Sequence, residues 1–355
     1  MSRNVLITGG AGFIGGSLGL NLAKYYPDWQ ITALDNLKRR GSELNLNRLK
    51  QAGIRFVHGD IRNPEDLDVR LLQPDLIVEC SAEPSVQAGY TSPAYVLQTN
   101  LVGTANCLEL ARQSQADFIF LSTSRIYPIT PLSQLQWVET ETRLQLAESH
   151  NFAGVSQEGI AEDFPLEGHR SLYGATKLAS ELLIAEYAEI YGIRTLINRC
   201  GVVTGPWQMG KVDQGVFALW MIAHYFKQSL KYIGFGGRGK QVRDFLHVDD
   251  LIALLMTQIQ DLDRLQGQTF NVGGGLTHSL SLLETTHLCQ AITGNSLSID
   301  AVLENRQGDI PIYITDSRKV QAATGWKPQR DAKETLTDIY RWIHLHEEQV
   351  SHIFL

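Results

Sequence analysis

The glycines at the amino end of this chain constrain its fold more than any other feature. Val5-Leu6-Ile7 is an apolar, strand-like run, and Ser17 to Tyr25 has helical character. Between them lies Thr8-Gly9-Gly10-Ala11-Gly12-Phe13-Ile14-Gly15, where Gly9, Gly12 and Gly15 have the spacing G-x-x-G-x-x-G. One glycine permits a sharp turn, one lets backbone approach a pyrophosphate, and one lets the helix pack close on the strand. The helix start then points unbonded N–H groups, around Phe13 and Ile14, at the phosphates. The next strand-like run, Ile31-Thr32-Ala33-Leu34, ends at Asp35. That carboxylate lies about 20 residues past Gly15, where it can accept hydrogen bonds from an adenosine ribose.

Short β-rich runs alternate with helical patterns through the first two-thirds of the 355 residues. Strands are predicted at Asn4–Thr8, Gln30–Leu34, Arg55–His58, Leu76–Cys80, Asp117–Leu121, Arg194–Arg199 and Thr269–Val272. Helices between them make this the pattern of an α/β fold, a Rossmann-type doubly wound parallel sheet. Thr99–Ser114 and Leu172–Tyr191 are the clearest helices, the second stopped by Gly192. After Arg199 the alternation weakens and loops lengthen, which predicts a smaller C-terminal α/β substrate domain. The expected division is 1–198 plus 243–272 for the dinucleotide, and 199–242 plus 273–355 for the substrate. The last helical stretch, Ala332–Gln349, carries His344 and His346. Two apart, they do not share a helix face, so no metal site is expected.

Composition excludes several classes. The formal net charge is −7 and no basic stripe is present, so nucleic acid is not an expected partner. No apolar segment approaches the roughly 18 residues that span a bilayer, so no membrane association is expected. The first strand follows Met1 almost directly, and the four cysteines are scattered without metal-ligand spacing. Reduced, mostly buried thiols in a cytoplasmic protein are the expectation.

The chemistry is carried by Tyr173-Gly174-Ala175-Thr176-Lys177 and by Ser122-Thr123-Ser124-Arg125. Tyr173 and Lys177 are i and i+4 near a helix start, hence on one face. Thr123 lies just past the carboxyl end of a strand. Tyr173 as phenolate can take a proton from a substrate hydroxyl, and Thr123 can bond the same oxygen. A free phenol, with a pKa of about 10, is a poor base at neutral pH. A neighbouring ammonium and an oxidised nicotinamide favour the phenolate, and a shift of about 3 units corresponds to about 4 kcal/mol. Tyr and Lys at this spacing are common on helices, so the weight rests on the ordered set. Asp35 favours NAD, because a 2′-phosphate would meet its carboxylate. Lys38, Arg39 and Arg40 would instead attract that phosphate.

With these motifs the chain resembles, over nearly its whole length, the extended short-chain dehydrogenase/reductases, specifically the nucleotide-sugar epimerases and dehydratases. The resemblance implies NAD held by Gly9, Gly12, Phe13, Ile14, Gly15, Asp35, Asn36, Arg39, Asp60, Ile61, Ser81, Ala82, Asn100, Tyr173 and Lys177. Asp60 in Gly59-Asp60-Ile61 would meet the adenine amine. It implies a nucleotide-sugar substrate contacted by Glu83, Thr123, Arg125, Gln214, Gln241, Arg243 and Arg306, with the last two gripping the diphosphate. Homodimers or homotetramers are expected. Within the family, the loops look most like those of epimerases acting at carbon 2 of CDP-sugars. The features are Asp35-Asn36-Leu37 with Arg39 and Gly41, the insert containing Glu139–Arg143, Asp213-Gln214-Gly215, and Gly239-Lys240-Gln241-Val242-Arg243-Asp244. A CDP-sugar is therefore the favoured substrate, with UDP-, GDP- and dTDP-sugars as alternatives. The implied reaction is transient oxidation to a keto-sugar and hydride return to the opposite face. Dehydratases of the family place Asp-Glu after the catalytic Thr, where this chain has Ser124-Arg125. A cofactor-sensing regulator would usually have lost the Tyr or the Lys. Glu83, where Gln is usual, departs from the epimerase pattern, as do Pro128 and Cys200.

Overall fold

A computed structural model describes residues 2–210 and 214–354. The chain divides into two compact units: Met1–Ile126, Leu172–Arg199 and Ile252–Phe270 form one, and Tyr127–Ser171, Cys200–Leu251 and Asn271–Leu355 the other.

The first unit is built on seven strands: β1 (Asn4–Thr8), β2 (Gln30–Asp35), β3 (Arg55–His58), β4 (Leu76–Glu79), β5 (Asp117–Thr123), β6 (Thr195–Cys200) and β7 (Gln268–Val272). Their order is β7-β6-β5-β4-β1-β2-β3. β1 pairs in parallel with both β2 and β4, β2 with β3, and β4 with β5. Chain order therefore reverses between β1 and β4. At such a switch point the loops leaving the two strands diverge, and a crevice opens at their carboxyl ends. The glycine turn leaves β1 there, and Cys80 to Glu83 leave β4. β4 and β5 are buried along their whole length, the signature of strands covered on both faces.

Three helices position the site. α1 (Phe13–Tyr25) buries Leu18 and Leu22, four apart, against the sheet. α2 (Gly103–Ser114) contributes Cys107, Leu108 and Ala111 to a core with Leu6, Ile77, Phe118 and Phe120. Each fully buried Leu, Ile or Phe among them stabilises by about 1.5–3 kcal/mol. α3 (Leu172–Tyr191) adds Ile184 and ends before Gly192, as the glycine predicts. The expected helix from Thr99 differs at its start. Gln98–Val102 forms a wider, π-helical turn ahead of α2. There the Asn100 carbonyl accepts hydroxyl hydrogen bonds from Thr104 and Ser180, at 2.9 Å each. Hydroxyls bonding to helix carbonyls compete with the regular ladder.

In the second unit, Val242–His247 is the central strand of a four-stranded sheet. It pairs in parallel with Val202–Thr204 and Ile312–Tyr313 and antiparallel with Ser279–Ser281. Helices Val216–Tyr225, Leu282–Thr293 and Ala332–Leu345 pack on one another. The latter two begin with capping boxes, Ser281 with Glu284 and Asp331 with Glu334. The expected final helix breaks at His346, whose φ of −124° leaves helical geometry, and resumes as Glu347–Phe354. Among the described residues no helix is long and apolar enough to cross a membrane.

Candidate active site

The turn from β1 to α1 has the shape of a phosphate cradle. Gly9 has φ +64°, and a Cβ there would lie 2.9 Å from the Cys80 carbonyl carbon and the Ser81 nitrogen. A Cβ on Gly15 would run into the Gly9 carbonyl oxygen. Backbone must therefore approach backbone on both sides of the turn. Gly12 is the N-cap of α1; it offers no side chain, and the first turn, starting at Phe13 and Ile14, carries no acidic residue. The N–H groups and positive end of this helix are left for an external anion.

Asp35 ends β2 beside this cradle. Its two oxygens accept the N–H groups of Ala11 (3.1 Å) and Leu37 (2.8 Å), which fix the carboxylate while leaving acceptor capacity for ribose hydroxyls. Burial raises its carboxyl above the ordinary value, and the N–H groups of Leu37, Ala11 and Gly12 pull the other way. Asn36 donates to Asp60 at 2.8 Å. Asp60 also receives the Arg62 backbone N–H (3.0 Å), Nε (2.9 Å) and Nη2 (2.6 Å). These bonds, first of all those of the Arg62 side chain, hold the Asp60 carboxyl down at about 2. An adenine amine would share an acceptor that Arg62 and Asn36 already use. The Arg39 carbonyl accepts the Ser42 N–H at 3.0 Å, and Lys38 lies over the Tyr95 ring. Ile61 is buried, and its carbonyl accepts from Asn106 at 2.8 Å.

On the other side of the switch point, Ser81, Ala82 and Glu83 follow β4. Asn100 clamps Glu83 by its backbone: the Glu83 N–H donates to Oδ1 (2.8 Å), and Nδ2 donates to the Glu83 carbonyl (3.1 Å). The Glu83 carboxylate accepts the Ser85 N–H at 3.1 Å. Asn100 Nδ2 also reaches Thr176 Oγ1 at 3.4 Å, tying this loop to α3.

α3 brings the catalytic candidates together. Tyr173 and Lys177 sit one turn apart, with 8% and 1% exposure. A Cβ on Gly174 would collide with the Arg125 carbonyl, so the first turn of α3 packs on the Ser124–Ile126 turn that follows Thr123. Thr123 Oγ1 accepts the Arg125 N–H at 3.2 Å. The Lys177 ammonium lies 4.1 Å from the centroid of the Phe120 ring on β5, three residues before Thr123. Thr123, Tyr173, Lys177 and Arg125 thus share one neighbourhood.

The remaining candidates lie in the second unit. Arg243 is engaged: Nη2 donates to Asp309 (2.7 Å) and to the Ile310 carbonyl (2.6 Å). Arg306, three residues before Asp309, is half-buried, and its carbonyl accepts the Asp309 N–H at 3.2 Å. Gln241 Nε2 donates to the Ile233 carbonyl at 3.3 Å. Oε1 of Gln241 and Oε1 of Gln214 are buried and accept no hydrogen bond among the described residues. Asp213, part of the same expected loop as Gln214, lies outside the described residues. Among the described residues no group of three or more His, Cys, Asp or Glu side chains stands where it could hold a metal.

Residues 5–273 match the model of the NAD dependent epimerase/dehydratase family. The CDP-paratose 2-epimerase of Salmonella typhi is 34% identical over 352 residues, covering 95% of this chain and 98% of that protein. The dTDP-glucose 4,6-dehydratase of Streptomyces griseus is 29% identical over 351 residues, 98% of this chain and 95% of that protein. A solved UDP-glucose 4-epimerase of Thermus thermophilus in complex with NAD superimposes with a TM-score of 0.76 at 25% identity, covering 97% of this chain and 99% of that one. The chain belongs to the NAD dependent epimerase/dehydratase family. It is an enzyme, and its cofactor is NAD. The side chains present fit that group: a cradle that any Cβ would fill, an α1 start without a carboxylate, and Asp35 at the end of β2.

Three features of this family member escape a reading of its sequence. Arg62 places three hydrogen bonds on Asp60. Glu181 on α3 and Arg199 on β6 form a buried ion pair, at 2.8 Å, that also receives the Ser122 hydroxyl at 2.5 Å. Glu79, the last residue of β4, is fully buried beside Lys177, and burial pushes its carboxyl up to about 7, with the Lys177 charge pulling the other way. A lone acidic residue in an apolar strand was the only available signal for Glu79.

Proposed function

We propose that this enzyme is a nucleotide-sugar epimerase, acting on a CDP-linked sugar at carbon 2. The observation that carries the reaction type is the packing of Tyr173 and Lys177 against the Thr123–Ile126 turn, where Ser124 and Arg125 stand in place of an acid pair. The substrate class rests on the 34% identity to a CDP-paratose 2-epimerase and on the shared loops.

When bound, NAD supplies the reversible hydride acceptor that lets a sugar carbon be oxidised and reduced again. Tyr173 takes the proton of the reacting hydroxyl as its carbon is oxidised. Lys177, buried one turn away, favours the phenolate that does so. Thr123 holds the same oxygen. After the keto-sugar has turned, Tyr173 returns the proton and the opposite configuration results. In this proposal the first unit holds NAD and the second carries the nucleotide grips. Arg243 and Arg306 bind the diphosphate, and Gln214 and Gln241 offer side-chain oxygens that have no partner among the described residues to the nucleotide or sugar. Leu182, Ile190 and Tyr191, large apolar side chains exposed on α3, support a homodimer or a tetramer built from one. Cys107, Cys200 and Cys289 are buried free thiols, which supports a cytoplasmic setting.

The 29% identical dehydratase supports a second outcome, 4,6-dehydration. One experiment separates them. The enzyme is incubated with CDP-, UDP-, GDP- and dTDP-sugars in deuterated water and followed by NMR. Inversion at carbon 2 of a CDP-sugar without deuterium at that carbon is expected, because hydride returns from the cofactor and not from solvent. Solvent deuterium at the inverted carbon rejects the mechanism. Loss of water rejects epimerisation, and inversion only at carbon 4 of UDP-sugars rejects the substrate assignment.

A further inference from the structure

Glu79, Thr104, Cys107, Phe120 and Lys177 converge beneath the catalytic helix from β4, α2, β5 and α3. Glu79 is fully buried, and its Oε1 lies 2.7 Å from Thr104 Oγ1. Its Oε2 has no hydrogen-bond partner among the described residues. Thr104 Oγ1 is also 2.9 Å from the Asn100 carbonyl. One hydroxyl carries one proton. With Glu79 ionised, that proton faces two acceptors and can serve only one. With Glu79 protonated, the carboxyl donates to Thr104 and Thr104 donates to Asn100, so every contact is served. A buried, half-partnered carboxylate is also the costlier state in this low-dielectric setting. The charged and titratable groups that face it are the Lys177 ammonium from α3 and the Cys107 thiol from α2, and burial pushes that thiol well up.

We propose that Glu79 is a positioning residue for the reaction: protonated beneath Lys177 it leaves the Lys177–Tyr173 couple at full strength, and once ionised it makes Tyr173 hold its proton to higher pH. The inference rests on Tyr173 as base and Lys177 as its electrostatic partner. A neutral Glu79 leaves the ammonium field at Tyr173 uncancelled. An ionised Glu79 opposes that field, and Tyr173 then holds its proton more tightly. The burial-raised carboxyl, at about 7, puts the switch near neutral pH.

The test uses the NAD-bound full-length protein. Infrared difference spectra of the wild type should show a protonated-carboxyl C=O band that is lost between pH 7 and pH 9, above the titration of the buried Asp244 at about 6, and that loss should be absent from Glu79→Gln. The rise of kcat with pH that reports Tyr173 ionisation should have its midpoint about one unit lower in Glu79→Gln than in the wild type, because an uncharged amide cannot oppose the Lys177 field. No carboxyl band lost between pH 7 and pH 9, or a kcat midpoint in Glu79→Gln equal to or above that of the wild type, overturns the proposal. The infrared titration needs only the wild type, so it decides even where the variant folds poorly. Turnover by Tyr173→Phe near the wild-type level would remove the base assignment while leaving the infrared titration of Glu79 in place, so the two failures are distinct.

Discussion

Breaking the buried pair between Glu181 and Arg199 should cost far more than deleting it whole. The side chains are 6% and 9% exposed. Arg199 Nη2 lies 2.8 Å from Oε2, and Nε lies 3.1 and 3.3 Å from the two oxygens, a forked contact from β6 to α3. Ser122 on β5 donates to the same carboxylate. Arg199→Met leaves that carboxylate buried with its cation gone, and Glu181→Leu leaves a buried guanidinium with its anion gone. Each single change should destabilise by about 3–5 kcal/mol, because the remaining charge is stranded away from water. Glu181→Leu with Arg199→Met strands neither. Apolar side chains of similar volume should then leave stability within about 1 kcal/mol of wild type or raise it. The coupling energy from the cycle should exceed about 3 kcal/mol. Urea denaturation of the four proteins at pH 7 measures it, with circular dichroism as the readout. A double variant as unstable as either single one would refute the reasoning, since it would mean that shape and not stranded charge sets the cost. Glu181 is one helical turn beyond Lys177, and Ser122 adjoins Thr123, so the same pair holds the turn of α3 that carries Lys177 against the end of β5.

Four further outcomes follow from the site. Tyr173→Phe should keep the fold and bound dinucleotide and lose turnover by at least about 10²-fold, and near-wild-type kcat would take Tyr173 out of the base role. Asp35→Ala should weaken NAD in calorimetric titration and narrow its advantage over NADP; tighter NADP binding by the wild type would assign the preference to Lys38, Arg39 and Arg40. Arg243→Ala should raise the dissociation constant for CDP by roughly ten- to hundred-fold, the worth of one charge-assisted contact, whereas Asp309→Ala should not weaken it; unchanged affinity in Arg243→Ala would leave that arginine as a structural partner of Asp309. Glu79 binds its proton more tightly in the fold, at about 7 against an ordinary 4.5. Its contribution is complete below the lower value and is lost as pH rises through the upper one. Glu79→Gln should therefore gain on the wild type with rising pH, by up to about 3 kcal/mol above pH 8, and a flat difference in denaturation from pH 5 to 9 would contradict the shift.

Much of the candidate site was legible because it is written in short spacings. A turn that admits only glycine, a carboxylate at a strand end, and a Tyr and Lys one helical turn apart are local requirements of φ, close approach and helical period. So Gly9, Gly15, Asp35, Tyr173 and Lys177 stand out, and the α/β alternation exposes the seven strands. What the reading missed lies in pairs brought together by the sheet order. Arg243 meets Asp309 from 66 residues away, and Asn100 grips the Glu83 backbone across 17.

The sequence by itself determined the strand-turn-helix units and the spacing that sets the candidate proton-transfer side chains together, because backbone geometry and side-chain period act over a few residues. Only the tertiary structure decided which charges are spent and which remain. Placing β4 beside β1 and β5, with α2 and α3 packed over them, seals Glu79 in next to Lys177. The same packing joins Glu181 to Arg199 out of water. Desolvation depends on every element that covers a group, so the ionisation of a buried carboxyl is a property of the assembled fold and not of the residues around it in the chain.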